Sequence, residues 1–430
     1  MKKIIYPKRK EWSKLMERPT IAISDLNKTV LQIFDDIRIN GDKAVGKYTY
    51  TFDKVKLKTF LINDKEIKEA KNQLSAELIK AIKLAKRNIE IFHAAQKEKT
   101  QIIETSKGVK CWRESRPIEK VGIYISGGTA PLFSTVLMLG IPAKLAGCKE
   151  IVLCTPPDIN GKINPAILFA AKLVGVTSIF RVGGIQAIGA LTFGTKTIPK
   201  VDKIFGPGNQ YVTASKQHAQ NYGLAIDMPA GPSEVLIIAD KSSVPKFVAA
   251  DLLSQSEHGA DSQVILLSNN EFLITKTLAA IKKQLKKLPR KEIALKALVN
   301  SKAILLKSIN ECIEFSNQYA PEHLILAFSN YRNIIHEITN AGSVFLGNYS
   351  CKSAGDYASG TNHTLPTNGY ARNYSGVSLD SFLKKITFQE LTKEGIQNIG
   401  KTIEVMADAE QLTAHKNAVS IRLKIINDEQ

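Results

Sequence analysis

A chain of 430 residues, 44% hydrophobic and 23% charged, carries enough apolar material for two or more packed cores, which excludes a disordered or fibrous protein. No apolar run approaches the length of a bilayer span, and the start, MKKIIYPKRKEW, has no apolar stretch after its basic residues, so no membrane is expected and the cytoplasm is the default compartment. The formal net charge of +19 comes from lysines dispersed along helical patterns such as LAAIKKQLKKLPRKEIALKAL, the texture of a solvated face, and nucleic acid is not an expected partner.

The first 120 residues read as helical. Residues 1–25 form an expected N-terminal helical arm. Residues 26–120 contain ISDLNKTVLQIFDDIRINGDKAVGKYT and NDKEIKEAKNQLSAELIKAIKLAKRNIEIFHAAQ, both amphipathic at helical spacing. That segment is expected to pack on the second of two α/β domains.

At Val121 the texture changes. VGIYI, EIVLC, SIFRV, DKIFG and EVLIIA are short β-branched runs separated by helical patterns. Strand alternating with helix predicts a parallel sheet covered on both faces. Residues 121–236 form one such domain. The alternation restarts over 237–375, through SQVILLS, KAILLK, HLILAF and SVFLG, and the two units have the look of a duplication. The segment AGDYASGTNHTLPTNGYARNYSG lacks periodicity, and a long irregular stretch carrying Asp, His and Tyr points to function. Residues 376–430 return to helix. The expected fold class is α/β, with two Rossmann-like parallel-sheet domains and helical additions at both ends.

Five cysteines, odd in number and without a CxxC pair, read as reduced and mostly buried thiols. A catalytic cysteine is the minority reading, and Cys351, beside the polar segment, is the candidate for it.

The stretch LLSQSEHGADSQVILL runs from core to core through groups that are costly to bury. Gln255 and His258 stand three apart at the end of a helix, on one face. Of seven histidines, His258, His323, His363 and His415 lie in polar clusters that also hold Glu257, Glu322, Asp356 and Glu410. Imidazole with carboxylate is a ligand set for Zn²⁺ or a related divalent ion, although no HExxH motif concentrates it. Glu322-His323, adjacent at a strand mouth, suits two separate proton transfers better than shared ligation, since neighbouring side chains point apart. A loop with an ordinary surface Glu explains the pair equally well. Gly127-Gly128, Gly183-Gly184 and Gly206-Pro-Gly208 follow strands and let a phosphate approach, but tight turns explain them equally, and no GxGxxG fingerprint is present.

Taken in order, GIYISGGTAPLFSTVLM, VGGIQAIGAL, VDKIFGPGN, DMPAGPSEVLIIAD, SQSEHGADSQVILL, APEHL, GDYASGTNHTLPT and EQLTAH resemble the histidinol dehydrogenase family, from about Val121 to His415. The likeness is looser over the first 120 residues. The resemblance implies a zinc-dependent, NAD⁺-linked, four-electron oxidation of L-histidinol to L-histidine through histidinal, the last step of histidine biosynthesis. It implies one Zn²⁺ per subunit, held by Gln255, His258, Asp356 and His415, with Glu322 and His323 as the acid-base pair. Ser233, His363 and Glu410, together with the metal ligands and His323, would contact the substrate, and Tyr124, Gln186 and Asn209 would contact NAD. It also implies a homodimer with shared sites, in which the C-terminal tail reaches the neighbouring subunit. The residues alone favour His363 over Gln255 as the fourth ligand, because an amide oxygen is a weak zinc donor. Two other readings stay open: a dehydrogenase for another amino alcohol or a metal-dependent hydrolase on the same scaffold, and a basic nucleic-acid-binding protein without catalysis.

Overall fold

The computed structural model describes residues 1–19, 24–127, 131–229 and 231–429. They divide into two compact units, Met1–Ala95 with Ile118–Ser381, and Gln96–Pro117 with Phe382–Gln430.

The first unit opens with strand β1 (Lys2–Ile5) and the short helix α1 (Trp12–Leu15), then helices α2 (Ser24–Asn40), α3 (Asp42–Asp53), α4 (Asp64–Ala70) and α5 (Ala76–Ala94). Local chemistry sets the ends of these helices. Asn63 and Glu66 form a reciprocal capping box at α4, and the Ser75 hydroxyl accepts the Leu78 N–H at the start of α5. After the excursion into the second unit come β4 (Lys120–Tyr124), α6 (Phe133–Ala146), β5 (Glu150–Cys154), α7 (Pro165–Val174), β6 (Ser178–Phe180), α8 (Gly184–Phe193), β7 (Lys203–Phe205), α9 (Gln210–Ala219) and β8 (Ala225–Ile226). The strands form a parallel sheet in the order β6-β5-β4-β7-β8.

A second parallel sheet follows from β9 (Glu234–Ala239), α10 (Pro245–Ser256), β10 (Gln263–Ser268), α11 (Glu271–Leu285), α12 (Lys291–Val299), β11 (Lys302–Leu305), α13 (Ile309–Tyr319), β12 (His323–Leu326), β13 (Ser343–Leu346) and α14 (Lys352–Tyr357). Its order is β1-β11-β10-β9-β12-β13. Leaving β1 aside, both sheets run third-second-first-fourth-fifth, the order expected of repeated right-handed βαβ crossovers. Their strands are covered on both sides, which is why they read as unbroken apolar runs. Val235, Ile237 and Ala239 enter the core built with α10, α11 and α12, while Leu236 and Ile238 enter the one built with α13 and Trp12.

Several expectations need correction. The N-terminal arm is a strand before it is a helix: KKII pairs in parallel with β11, which satisfies its backbone at the sheet edge. The helices of 26–120 pack mainly on the first α/β layer, with α5 also reaching the second through Asn88, which donates to the Ala358 carbonyl at 2.8 Å. α2 and α3 lie on α8, α2 also on α9, α4 on α7 and α5 on α6, and Val30, Phe34 and Ile37 share a core with Ile185, Ile188 and Leu191. The pattern of an amphipathic helix shows which face is buried, not against what. Between β12 and β13 the stretch NIIHEITNAG has apolar residues at helical spacing, yet this connection forms only single turns at Tyr331–Asn333 and Ile335–Glu337.

The second unit is a three-stranded antiparallel sheet with two helices. Strands β2 (Ile102–Ser106), β3 (Val109–Pro117) and β14 (Leu383–Leu391) lie in the order β14-β3-β2, with α15 (Lys393–Ala409) and α16 (Thr413–Asp428) after them. Both strand-bearing segments had been read as helical. Their charged residues and two open faces hide the period-2 pattern, although Gly108 at φ +77 marks the β2–β3 turn.

Candidate active site

Two places in the first unit collect polar groups. The first is an open cleft of about 1330 Å³ at the carboxyl ends of the first sheet, lined by Asp53, Tyr124, Pro156, Asp158, Gln186 and Asn209 among others. It lies where the strand order reverses about β4, the usual ligand position of an open α/β sheet. Backbone closeness shapes it. A Cβ on Gly206, at φ +128, would stand 2.0 Å from the Tyr124 carbonyl oxygen, and one on Gly127 would stand 2.2 Å from the Pro156 ring. The Tyr124 hydroxyl accepts the Gly184 N–H at 3.0 Å, and the Asn209 amide oxygen caps α9 through the Tyr211 and Val212 N–H groups. Gln186 is fully buried, its Nε2 3.4 Å from Asp53 and its Oε1 without a hydrogen-bond partner among the described residues. Burial pushes the Asp53 carboxyl up to about 6.

The second place is at the opposite, amino, end of the second sheet. Ser233 precedes β9, Gln255 lies in the last turn of α10 with His258 just beyond it and ahead of β10, Glu322 precedes β12 and His323 opens it. Asp356 arrives on α14, which was expected to be irregular. Contrary to the alternation argument, the neighbours Glu322 and His323 meet: Oε2 of one is 3.5 Å from Nδ1 of the other, because Glu322 sits before the strand begins. Both are buried. The Glu322 carboxylate accepts the Glu234 N–H at 2.7 Å, and His323 Nδ1 lies 3.2 Å from the Glu234 carbonyl. A carbonyl only accepts, so Nδ1 carries the hydrogen. Nε2 of His323 faces Asp356 Oδ1 at 3.5 Å and has no hydrogen-bond partner among the described residues.

Electrostatics in this cluster are strong. Burial lowers the basicity of His323, but the carboxylates of Glu322 and Asp356 outweigh it and raise its pKa to about 9. Burial also works against ionised Asp356, yet His323 and Lys352 hold it well below the usual carboxylate range. His258 is pushed down to about 4, by burial first and then by the Lys352 ammonium, so it is neutral with a lone pair near pH 7.

His363 does not fit the ligand role the residues alone gave it. Its Nδ1 is 2.8 Å from the Asp356 carbonyl oxygen and its Nε2 3.0 Å from Thr135 Oγ1, so both ring nitrogens are committed. Thr135 lies on α6, and Asn362 donates to the Met138 carbonyl of the same helix at 2.6 Å, so the first sheet's helix braces the loop after α14. Gln255 is the opposite case. It is fully buried, and neither amide atom has a partner among the described residues. An orphaned amide in a polar cluster fits a group awaiting a ligand. No three His, Cys, Asp or Glu side chains stand ready to hold a metal among the described residues. Of the ligands that the resemblance implies, the first unit carries Gln255, His258 and Asp356. His415 and Glu410 lie in the second unit, both exposed.

The histidinol dehydrogenase family model matches residues 16–423. Histidinol dehydrogenase of Bacteroides thetaiotaomicron is 58% identical over 426 residues, covering 99% of this chain and 100% of the relative. That of Mannheimia succiniciproducens is 53% identical over 416 residues, covering 96% of each. The crystal structure of histidinol dehydrogenase from Elizabethkingia anophelis superimposes with a TM-score of 0.98 at 65% identity, covering 99% of each chain.

This chain belongs to the histidinol dehydrogenase family. As a histidinol dehydrogenase relative over its whole length, it is an oxidoreductase of histidine biosynthesis, and a non-catalytic nucleic-acid-binding role is set aside. Among the described residues no helix is long and apolar enough to cross a membrane. Cys148, Cys154 and Cys312 are buried and Cys351 is exposed, all as free thiols. Sequence reasoning missed Glu234, whose position in SEVLIIA, a charge leading an apolar strand, was the available signal.

Proposed function

We propose that the protein oxidises L-histidinol to L-histidine through histidinal, using two NAD⁺ and one Zn²⁺ per site. The observation that carries this reading is the buried group at the amino end of the second sheet, where Glu322, His323 and Asp356 meet, together with the buried amide of Gln255 that has no partner among the described residues.

Gln255, His258 and Asp356 would hold the zinc, with His415 of a second copy as the fourth ligand. When bound there, the cation supplies a Lewis-acidic anchor for the substrate's nitrogen and oxygen donors and offsets the carboxylate charge that holds His323 protonated. Tyr124, Gln186 and Asn209 would line the cofactor's binding place, and the dinucleotide supplies the hydride acceptor in each half of the reaction. His323, with Nδ1–H fixed on the Glu234 carbonyl, offers Nε2 to take the alcohol proton as the carbon gives up hydride and becomes histidinal. Glu322 takes a proton from water as its oxygen bonds to the aldehyde carbon, giving the hydrate. His323 returns its first proton to the former carbonyl oxygen as the hydrate forms, and its freed Nε2 then takes a hydroxyl proton as the second hydride departs, leaving the carboxylate. His363 and Ser233, and Glu410 of the second copy, would orient the substrate.

A shared site requires a homodimer. Val405, Met406, Ile421 and Ile425 are more than half exposed on the C-terminal helices, and apolar surface of that kind supports an interface between copies. The direct test follows NADH absorbance and metal content together. Two NADH per histidinol, lost on chelation and regained with Zn²⁺, is the expected result. One NADH per substrate, or activity indifferent to chelation, would overturn it.

A further inference from the structure

Glu234 touches both groups of the acid-base pair through three different atoms. Its N–H donates to Glu322 Oε2 at 2.7 Å, its side-chain Oε1 accepts the Glu322 N–H at 3.3 Å, and its carbonyl lies 3.2 Å from His323 Nδ1. Strand register explains the closeness. His323 pairs with Val235 in the β12–β9 ladder, so Glu322 and Glu234 face each other one residue before it begins. Two carboxylates meeting in a buried place repel, and the chain compensates. Arg18 forks onto Glu234, Nε to Oε2 at 2.5 Å and Nη2 to Oε1 at 2.9 Å. The same guanidinium lies 3.8 Å from the Tyr319 ring centre and donates to the Tyr319 carbonyl at 2.7 Å. The Tyr319 hydroxyl stands 2.9 Å from Glu234 Oε2 and 2.8 Å from Gln263 Oε1, with one hydrogen to give. Gln263 is anchored in turn on the carbonyls of Glu17 and Asn300.

A buried ion pair is weak evidence for stability, because desolvation cancels much of its attraction. What this one provides is direction: the Glu234 side chain is fixed at both oxygens, and it fixes the Glu322 backbone.

We propose that Glu234, clamped by Arg18 and Tyr319, is a positioning residue that aims the Glu322 carboxylate at the water that hydrates the aldehyde. The inference rests on the roles given above to Glu322 and His323. It makes an asymmetric prediction. Replacing the Glu234 side chain leaves its backbone, and therefore the His323 bond and the N–H bond to Glu322 Oε2, in place, but removes the side-chain acceptor that holds the Glu322 backbone and with it the aim of that carboxylate. The step that needs Glu322 is the one that fails.

The experiment compares the two half-reactions, histidinol to histidinal and added histidinal to histidine, in wild type, Glu234→Gln and Tyr319→Phe, each loaded with zinc. In Glu234→Gln the amide cannot serve Arg18 and the Glu322 N–H as the carboxylate does. Oxidation of histidinal should fall about 10- to 100-fold, as a misaimed group does. Oxidation of histidinol should stay within about threefold, with KM for histidinol unchanged and free histidinal captured by a carbonyl reagent. Tyr319→Phe keeps the ring under Arg18 and should show the same bias, weaker. It carries the test alone if Glu234→Gln does not fold. Equal losses in both half-reactions, or no loss in either, would overturn the inference while leaving the activity assignment standing. A wild type that cannot oxidise histidinol would overturn both.

Discussion

The Lys352 ammonium lies 2.5 Å from Asp356 Oδ2, four residues further along the same helix, and the lysine side chain is only 1% exposed. A cation is therefore already seated on one oxygen of the carboxylate proposed to bind zinc, while Oδ1 turns to His323 at 3.5 Å. Two cations close to one carboxylate repel at low dielectric. Lys352→Met should accordingly bind Zn²⁺ about tenfold more tightly, read by competition with a chelator. Its metal-free form should unfold more easily, by about 3 kcal/mol, since a buried pair has lost one partner. The destabilisation should shrink when zinc is present. Unchanged zinc affinity together with an unchanged melting curve would mean that the ammonium and the metal place do not communicate.

Gln255 gives a test in which stability and metal retention move in opposite directions. Its two amide atoms are buried without partners among the described residues, a penalty of about 1–3 kcal/mol in a metal-free protein. Gln255→Leu, similar in volume, should raise the metal-free melting temperature and lower zinc retention at least tenfold. A variant that keeps its zinc through dialysis would remove Gln255 from the ligand set.

Asp53 supplies a pH test at the other cleft. Burial raises its folded pKa to about 6, above its unfolded value, so the folded state holds a proton more tightly. This contribution to stability is fully present below about pH 4 and is lost as pH rises through about 6. Asp53→Asn should flatten that part of the stability-pH curve. At pH 7 it should gain on the order of 1 kcal/mol, after allowance for the solvent screening of a partly exposed group. Denaturant melts at pH 4, 5, 6 and 7 measure it, and parallel curves for the two proteins would show that Asp53 titrates normally.

Much of this architecture was readable without coordinates, for a physical reason. Strands buried on both faces are apolar runs, so VGIYI, EIVLC and EVLIIA announced the parallel sheets. Strands with two wet faces announce little, and β2, β3 and β14 were lost among charges that suit a helix surface equally well. The same limit applies at the site. Residue type made His363 look like the better ligand, because an imidazole outranks an amide. The bonds to Thr135 and the Asp356 carbonyl that commit both its nitrogens come from elements over 200 residues apart in one case and from a backbone atom in the other. Arg18 had no local signal at all, since its partner Glu234 lies 216 residues away.

The proposed sharing of the site between copies leads to a complementation test. His323 lies in the first compact unit and His415 in the second. If the second unit of one copy completes the site of its partner, His323→Asn and His415→Asn proteins are each inactive alone. In a heterodimer of the two, one site collects both substitutions and the other collects neither. Random reassortment of equal amounts makes about half the dimers mixed, so about one quarter of all sites should be intact. Activity near that fraction should appear after the subunits are separated in mild denaturant and recombined, while zinc stays at about half of all sites, because only His415→Asn removes a ligand. The control is to mix without separation, which should give no activity. Verified exchange without recovered activity would mean that each copy uses its own His415, or that His415 lies outside the site altogether. Zinc content distinguishes these outcomes, because a ligand lost with His415→Asn leaves about half the sites without metal, whereas a residue outside the site leaves all of them loaded.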